Sequence, residues 1–290
     1  MPSSNRDSIL VEDGTVVTTT AFEGTQHVIR IHAPRIAQRS LAGHFVHLRC
    51  APDLMMRRPM SIMRANEREG WIEILFKKHG LGTRLLGEQQ VGDSISMIGP
   101  IGHPFKQQDY RRRPLLIGGG VGIPPMVFLA ERLRNLSLQS FVIMGSEVPF
   151  PFSAKPSQIM VAGIPPAAIA SMPLLEDWGV ASRLASRQSY AGCFDGLVTE
   201  LAAAWIDHRI ECEGDEIEIF ACGPTPMLKA VAELAAHYSI PCQISLEEYM
   251  ACAVGGCAGC AVAVRTESGN AMKRVCVDGP VFEAGEVIFA

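Results

Sequence analysis

The chain has no run of basic residues longer than Arg111-Arg112-Arg113, and its formal net charge is −4. It offers no basic stripe to hold a phosphate backbone, so nucleic acid is not expected as a partner. It also lacks an uninterrupted apolar run long enough to cross a bilayer. The opening Met1-Pro2-Ser3-Ser4-Asn5-Arg6-Asp7 has none of the apolar core that a signal peptide needs. A cytoplasmic setting is therefore expected, where thiols stay reduced and available as metal ligands. Charged residues make up only 19% of the chain against 48% hydrophobic, ample apolar material for a globular core.

At 290 residues the chain is long for one core and suggests two domains with an appendage. Strand and helix patterning gives a multi-domain α+β class. An antiparallel β-barrel is expected over 8–110, an α/β unit with a parallel sheet over 111–245, and a small C-terminal unit over 246–290.

Nine cysteines are present, and four are gathered near the C-terminus. Cys252, Cys257 and Cys260 read CxxxxCxxC, and fifteen residues then separate Cys260 from Cys276. This is the spacing of a plant-type [2Fe–2S] site, in which thiolates hold two irons. Small residues between the first three cysteines let backbone N–H groups approach sulfur. Zinc or unliganded thiols are the alternatives, although structural zinc usually pairs two short-spaced couples and only Cys257 and Cys260 are so spaced. Cys50, Cys193, Cys212 and Cys242 are dispersed and read as core or surface residues.

The first hundred residues read as short strands at Val16–Thr20, His27–His32, His44–Cys50, Ser61–Arg64, Trp71–Lys77 and Ser94–Ile98, with turn residues between them. Arg57-Arg58-Pro59-Met60-Ser61 lies among these strands. A guanidinium supplies a fork of donors for phosphate, Pro stiffens the backbone, and the Ser hydroxyl can bond phosphate or a flavin ring. Gly80-Leu81-Gly82-Thr83 opens a short helix over Thr83–Leu86, and Gly99-Pro100-Ile101-Gly102-His103-Pro104-Phe105 closes the barrel. In this order the three pieces resemble the FAD domain of the ferredoxin–NADP reductase superfamily.

Past a linker at Arg111–Pro114, a buried-type strand Leu115–Ile117 runs into Gly118-Gly119-Gly120-Val121-Gly122 and a helix over Val127–Leu136. Strand, glycine-rich turn and helix make a dinucleotide-binding unit. Strands at Phe141–Gly145, Ala181–Ala185, Glu216–Cys222 and Cys242–Leu246 then alternate with helical stretches near Leu174–Trp178, Leu197–His208 and Thr225–Tyr238. A parallel sheet binds ligand at the carboxyl ends of its strands. Cys222-Gly223-Pro224 falls at such an end and resembles the superfamily's segment beside the nicotinamide ring. Cys222 is the candidate catalytic position, acting by placement and not as a nucleophile.

With Ser245-Leu246-Glu247, the cysteine loop and Val275-Cys276-Val277-Asp278-Gly279-Pro280-Val281-Phe282 added, nearly the whole chain resembles the electron-transfer subunits of NAD-linked dihydroorotate dehydrogenase. The resemblance implies FAD held by Arg58, Pro59, Met60, Ser61, Leu75, Phe76, Lys77, Gly82 and Thr83. It implies NAD(P) at Gly118–Gly122 with Gly223 and Pro224, and cluster ligation by Cys252, Cys257, Cys260 and Cys276. Electrons would pass among NAD(P)(H), FAD, a [2Fe–2S] cluster and the FMN of a separate catalytic subunit, in a heterotetramer serving pyrimidine synthesis. A reductase for another acceptor (an oxygenase, a hydrogenase-like complex or a ferredoxin) and a scaffold without nucleotide turnover are the alternatives.

Three departures from the family pattern stand out. Ala253 occupies a position after the first cluster cysteine where Gly is usual. Ala185-Ser186-Arg187-Gln188-Ser189 replaces an acidic run, which points to Arg187 or Arg183 as a partner for the 2′-phosphate of NADP. Pro149–Ala170 is a Pro-rich excursion longer than an ordinary connection.

Overall fold

A computed structural model describes residues 9–213 and 216–289, with no account of the side chains of Cys212 and Glu213. The expectations for Met1–Asp7 and for the Cys212 thiol therefore lie outside the described residues.

Seven strands make the first unit: β1 (Leu10–Phe22), β2 (Gln26–His32), β3 (Phe45–Leu48), β4 (Arg58–Ser61), β5 (Arg64–Asn66), β6 (Trp71–Lys77) and β7 (Ser94–Ile101). They pair antiparallel in the order β4-β3-β7-β1-β2-β6-β5. The Met63 N–H donates to Glu73 O at 2.8 Å, carrying the chain from β4 across to β6 and curling the sheet toward closure. Alternate residues of the strands turn inward, and Val16, Ile29, Ile31, Val46, Leu48 and Ile74 are almost wholly buried. Two short helices, α1 (Pro34–Ala37) and α2 (Leu81–Leu86), lie in the connections.

The strand expected at Ser61–Arg64 is instead two strands broken at Ile62 and Met63. Pro59 has no N–H to give, so β4 is confined to the edge of the sheet, where the Arg-Pro-Met-Ser motif lies within the strand.

The second unit contains β8 (Arg113–Gly119), α3 (Ile123–Leu133), β9 (Phe141–Gly145), the two-residue strands β10 (Lys155–Pro156) and β11 (Ala170–Ser171), α4 (Pro173–Asp177), β12 (Ala181–Ala185), α5 (Val198–Glu213), β13 (Ile217–Cys222), α6 (Thr225–His237) and β14 (Cys242–Ser245). Strands β12-β9-β8-β13-β14 are parallel. The order reverses at β8, with β9 added on one side and β13 on the other, which sets a crevice at the carboxyl ends of β8 and β13.

Arg113 and Pro114, expected in a linker, open β8. The Pro is tolerated because it faces Glu218 of β13 two residues into the strand, before pairing with β9 begins at Leu115. Helix α5 runs past the expected His208.

The Pro149–Ala170 excursion is anchored at both ends. Gln26 Nε2 donates to Pro149 O at 2.6 Å, and β10 pairs with β11.

Beyond β14 the chain forms a loop carrying three cysteines, a hairpin of β15 (Ala261–Thr266) and β16 (Gly269–Arg274), and β17 (Val281–Glu283). Strand β17 pairs antiparallel with β14 and becomes the sixth strand of the second sheet. The C-terminal segment also reaches the barrel. A Cβ on Gly102 (φ 96°) would fall 2.3 Å from Pro280 Cδ, and the His103 N–H donates to Gly279 O at 2.6 Å. Only Gly fits that left-handed, crowded position, which accounts for the Gly-Pro-x-Gly pattern.

Candidate cofactor cleft and cysteine loop

A cleft of about 1060 Å³ lies where the three parts of the chain meet. Arg58 to Ser61 of β4 and Leu75 to Lys77 at the end of β6 form its barrel side. Thr83 of α2, Val121 of the turn after β8 and Thr225 of α6 also border it, and the segment 245–251 with Gly259 closes it from the cysteine side. The expected flavin-contacting residues are thus brought to one surface, apart from Gly82. Gly82 is buried behind it, where a Cβ would stand 3.0 Å from Arg58 Nε.

Within the motif the two arginines separate. Arg57 is committed to the barrel, with Nη1 donating to Ser96 O at 2.6 Å and Nη2 to Ser96 Oγ at 3.0 Å. Arg58 donates only to the nearby carbonyls of Met56 and Arg57 and lies on the cleft, the better placed of the two to meet a phosphate. The Thr83 hydroxyl accepts from the N–H groups of His79 (2.9 Å) and Gly80 (3.2 Å), so it shapes the turn into α2. Phe76 stacks on His27 with ring centroids 5.5 Å apart and, like Leu75, is at most 3% exposed, so little of either side chain meets the cleft.

The glycine-rich turn has a different part. A Cβ on Gly122 would fall 2.4 Å from both C and O of Cys222, so the turns after β8 and β13 touch backbone to backbone. Met227 fills the remaining gap: Cβ atoms on Gly119 and Gly223 would each come within 2.5 Å of its thioether end. Val121 is the one residue of Gly118–Gly122 on the wall of the cleft. Cys222, opposite Gly118 in the ladder, is 0% exposed, and its Sγ stands 3.9 Å from Glu247 Oε1. Burial, with the Glu247 charge added, pushes the Cys222 thiol well above its usual range and keeps it protonated. Glu247 is exposed on the cleft, yet the protein around its carboxyl raises its pKa, and the Cys222 thiol pulls it partly back.

The cysteine loop is bent through left-handed residues at Ala253 (φ 54°), Gly255 (φ 83°) and Ala258 (φ 53°). Backbone N–H groups turn toward sulfur: Cys257 N lies 3.4 Å from Cys252 Sγ, and Gly259 N lies 3.4 Å from Cys257 Sγ. The fifteen-residue interval before Cys276 is the β15–β16 hairpin. Its register sets Ala261 opposite Arg274, and the Val275 N–H donates to Cys260 O at 3.0 Å, so the hairpin closes with Cys260 beside Cys276. Arg274 fastens the loop to the hairpin, with Nη1 donating to Gly255 O at 3.0 Å and its backbone N–H donating to Asp278 Oδ2 at 2.8 Å.

The four thiols act on one another: Cys257 on Cys252, and both Cys260 and Cys252 on Cys276. Burial opposes ionisation of Cys252, but the N–H groups of Val254, Cys257 and Gly256 and the Cys257 thiol outweigh it and hold the thiol at about 7. Burial and the neighbouring Cys260 push Cys276 up to about 12. Among the described residues no three His, Cys, Asp or Glu side chains surround a single ion. A cluster of two irons takes two thiolates on each, and these four cysteines supply that number.

Residues 247–288 match the family model described as the iron–sulfur cluster binding domain of dihydroorotate dehydrogenase B. The chain is 34% identical over 279 residues to the dihydroorotate dehydrogenase B (NAD+) electron transfer subunit of Geobacillus thermodenitrificans, covering 94% of this chain and 97% of that one. The chain belongs to this family. The subunit of Desulforamulus reducens is 30% identical, with 96% and 98% covered. Among solved structures, an NADH-dependent reduced ferredoxin–NADP oxidoreductase studied for flavin-based electron bifurcation superposes with a TM-score of 0.75 at 23% identity, covering 95% of this chain and 90% of that one. The ferredoxin reductase of carbazole 1,9a-dioxygenase gives 0.61 at 19% identity, with 80% and 67% covered. The family's fold is thus a ferredoxin-reductase-like pair of units carrying a cysteine-bearing C-terminal segment.

Several residues on the cleft were missed as site residues in the sequence, among them Phe45, His79, Glu248 and Tyr249. Glu247 and Met250 were noticed only as part of a family motif. Phe45 read only as part of a strand, and only the fold brings β3 and the 245–251 segment together. Of the two arginines weighed for a 2′-phosphate, Arg183 is buried and donates to Ser182 O and Ile159 O, each at 2.7 Å, so it is structural. Arg187 is exposed just beyond β12.

Proposed function

We propose that the chain passes electrons between a pyridine nucleotide and a partner protein, by way of FAD in the 1060 Å³ cleft and a [2Fe–2S] cluster on Cys252, Cys257, Cys260 and Cys276. One observation carries this reading: a single cleft is walled by the Arg-Pro-Met-Ser strand, the nucleotide turn and the cysteine loop together. Three units are assigned, an FAD unit over 8–110, an NAD(P) unit over 111–245 and a cluster unit over 246–290, with β17 of the last completing the sheet of the second. Bound flavin exchanges hydride with a nicotinamide and single electrons with a cluster, which suits it to the middle position.

The residues divide the work. Arg58 supplies charge for a phosphate, and Pro59, Met60 and Ser61 present the edge of β4 to the ring system. A nicotinamide would lie against the flavin beside Val121 and Thr225, which the touching turns at Gly122 and Cys222 hold in place. Cys222 acts by position, as a protonated thiol. Glu247 accepts from that thiol at Oε1 and so fixes its orientation. Leu246, only 8% exposed, and half-buried Met250 exclude water between cleft and loop.

The partner is an FMN-bearing dihydroorotate dehydrogenase catalytic subunit in a heterotetramer, in a cytoplasmic setting. Cys257 and Ala251 are exposed, Val254 is 49% and Met272 65% exposed, and these residues of the loop and hairpin form the docking face. No helix of the described residues is long and apolar enough to cross a membrane. Co-expression tests the assignment: the two chains should purify together, and only the complex should reduce NAD+ with dihydroorotate. A chain that forms no complex yet reduces other acceptors with NADH would reassign it as a reductase for a different partner.

A further inference from the structure

The cofactor cleft has two unlike ends. At one, Ser61 faces Phe45 in the β3–β4 ladder, a Cβ on Gly102 would touch both Phe45 and Pro280, and the Leu246 N–H donates to Pro280 O at 2.9 Å. Glu247 and Glu248 follow Leu246 directly, and they are the only carboxylates among the described lining residues.

Cations stand at the other end. Arg58 lies three residues along β4 from Ser61, roughly 10 Å at the rise of a strand. Arg64 of β5 faces Glu73 of β6 antiparallel, and the Met63 N–H on Glu73 O extends that pairing toward β4. Stepping from Ser61 back to Arg58 therefore runs the same way as stepping from Phe76 on to His79, so Lys77 and His79 share the Arg58 end. Helix α2 fixes this corner: the Thr83 hydroxyl accepts from the His79 N–H at 2.9 Å, and a Cβ on Gly82 would stand 3.0 Å from Arg58 Nε. Among the described residues no carboxylate pairs with Arg58, Lys77 or His79, and Arg58 spends only Nη1, on the carbonyls of Met56 and Arg57.

Just past Arg58 the wall becomes apolar. Met56 borders the cleft at 45% exposure, tied to Arg58 by its carbonyl at 2.9 Å, while Met55 beside it is 93% exposed and lies off the wall. A thioether is flexible and polarizable and suits the edge of a flat ring, and an imidazole can stack on such a ring or hydrogen-bond to it.

We infer that Met56 and His79 hold the adenosine half of a flavin dinucleotide, and so make the cleft select FAD over FMN. The inference rests on flavin being the cofactor of this cleft. With the flavin ring at the Ser61 end and a phosphate at Arg58, a mononucleotide ends at Arg58. A dinucleotide continues beyond it, where Met56 and His79 are the next surfaces on the wall. Lys77, exposed on the same wall, supplies charge for the second phosphate.

The test is titration of the full-length protein, stripped of flavin, with FAD and with FMN, followed by the change in flavin fluorescence. Wild type should prefer FAD. Met56→Ser and His79→Ala should each weaken FAD on the order of tenfold, the worth of one such contact, and FMN less than about twofold. Arg58→Gln should weaken both flavins, and Met55→Ser neither. Met56 and His79 are exposed, and unchanged urea midpoints in their variants separate lost binding from lost folding. Equal affinity of wild type for the two flavins, equal losses for FAD and FMN in the Met56 and His79 variants, no loss for FAD, or as large a loss from Met55→Ser would each overturn the assignment while leaving the relay standing. A wild-type protein that binds neither flavin would instead refute the flavin cofactor itself.

Discussion

Arg64 of the barrel and Glu131 of α3 join the two cofactor units through a fork, with Nη2 donating to Oε1 at 2.7 Å and Nε lying 3.2 and 3.3 Å from the two carboxylate oxygens. Both side chains are under one-fifth exposed, at 19% and 18%. Burial opposes the Arg64 charge, yet its bonds to Glu131 and then Glu73 outweigh the penalty and raise its pKa. Glu131→Ala leaves Arg64 with Glu73 at 3.5 Å as its remaining ion pair. A loss of about 1–3 kcal/mol is expected in urea unfolding, the usual cost of breaking one partly buried pair. Because the pair spans two units, early loss of flavin should accompany it.

Ala253 holds a left-handed conformation that costs an L-residue about 1 kcal/mol and costs Gly almost nothing. Ala253→Gly should therefore be neutral or stabilise the loop by up to about 1 kcal/mol, since Gly also loses more freedom on folding. Slower loss of visible cluster absorbance during incubation with a chelator is the expected readout. Faster loss would show that the Ala253 side chain, 1% exposed, contributes packing that outweighs its backbone cost.

Acid should destabilise the barrel through two histidines on or next to β3. Burial, then the charge of His103, lowers His44 to about 4, and its Nδ1 accepts from Leu41 N at 3.0 Å, which requires an unprotonated nitrogen. Burial, then Arg57, lowers His47 to about 4. The unfolded chain binds protons at these sites near pH 6.5 and the folded chain only near 4. Their stabilisation is thus complete above 6.5 and is lost as pH falls through that window. Each contributes at most about 3 kcal/mol. Urea midpoints at pH 7.5 and pH 5 measure the slope, which His47→Leu should reduce.

Arg187 is the surviving candidate for choice between coenzymes. Arg187→Glu should shift relative turnover from NADPH toward NADH on the order of tenfold, the worth of one charge-assisted contact to phosphate. An unchanged ratio would assign Arg187 to solvent.

The sheet order and the site were legible to different depths in the sequence. Periodicity and turn chemistry located β9 and β12 to the residue, because both are short buried strands between clear breaks. The break between β4 and β5 was hidden, since Ile62 and Met63 are apolar enough to continue a strand and only tertiary pairing turns them inward. The cysteine spacing announced a cluster. That the interval before Cys276 is a hairpin, that Arg274 ties the loop down, and that β17 leaves the cysteine unit for the other sheet all depend on contacts between distant residues. The Arg183 proposal failed for the same reason: a charged residue on a strand gives no sign that its guanidinium is spent on a neighbouring backbone carbonyl.

One chain should carry a flavin and a two-iron cluster, both reachable from one nucleotide. An anaerobic visible spectrum of purified protein, before and after NADH or NADPH, tests it most directly. Flavin bands overlaid by [2Fe–2S] absorbance are expected, both bleaching on nucleotide addition. Cys257→Ser should lose the cluster absorbance and keep a flavin that still bleaches. A colourless protein containing zinc, or a flavin that neither nucleotide bleaches, would contradict it.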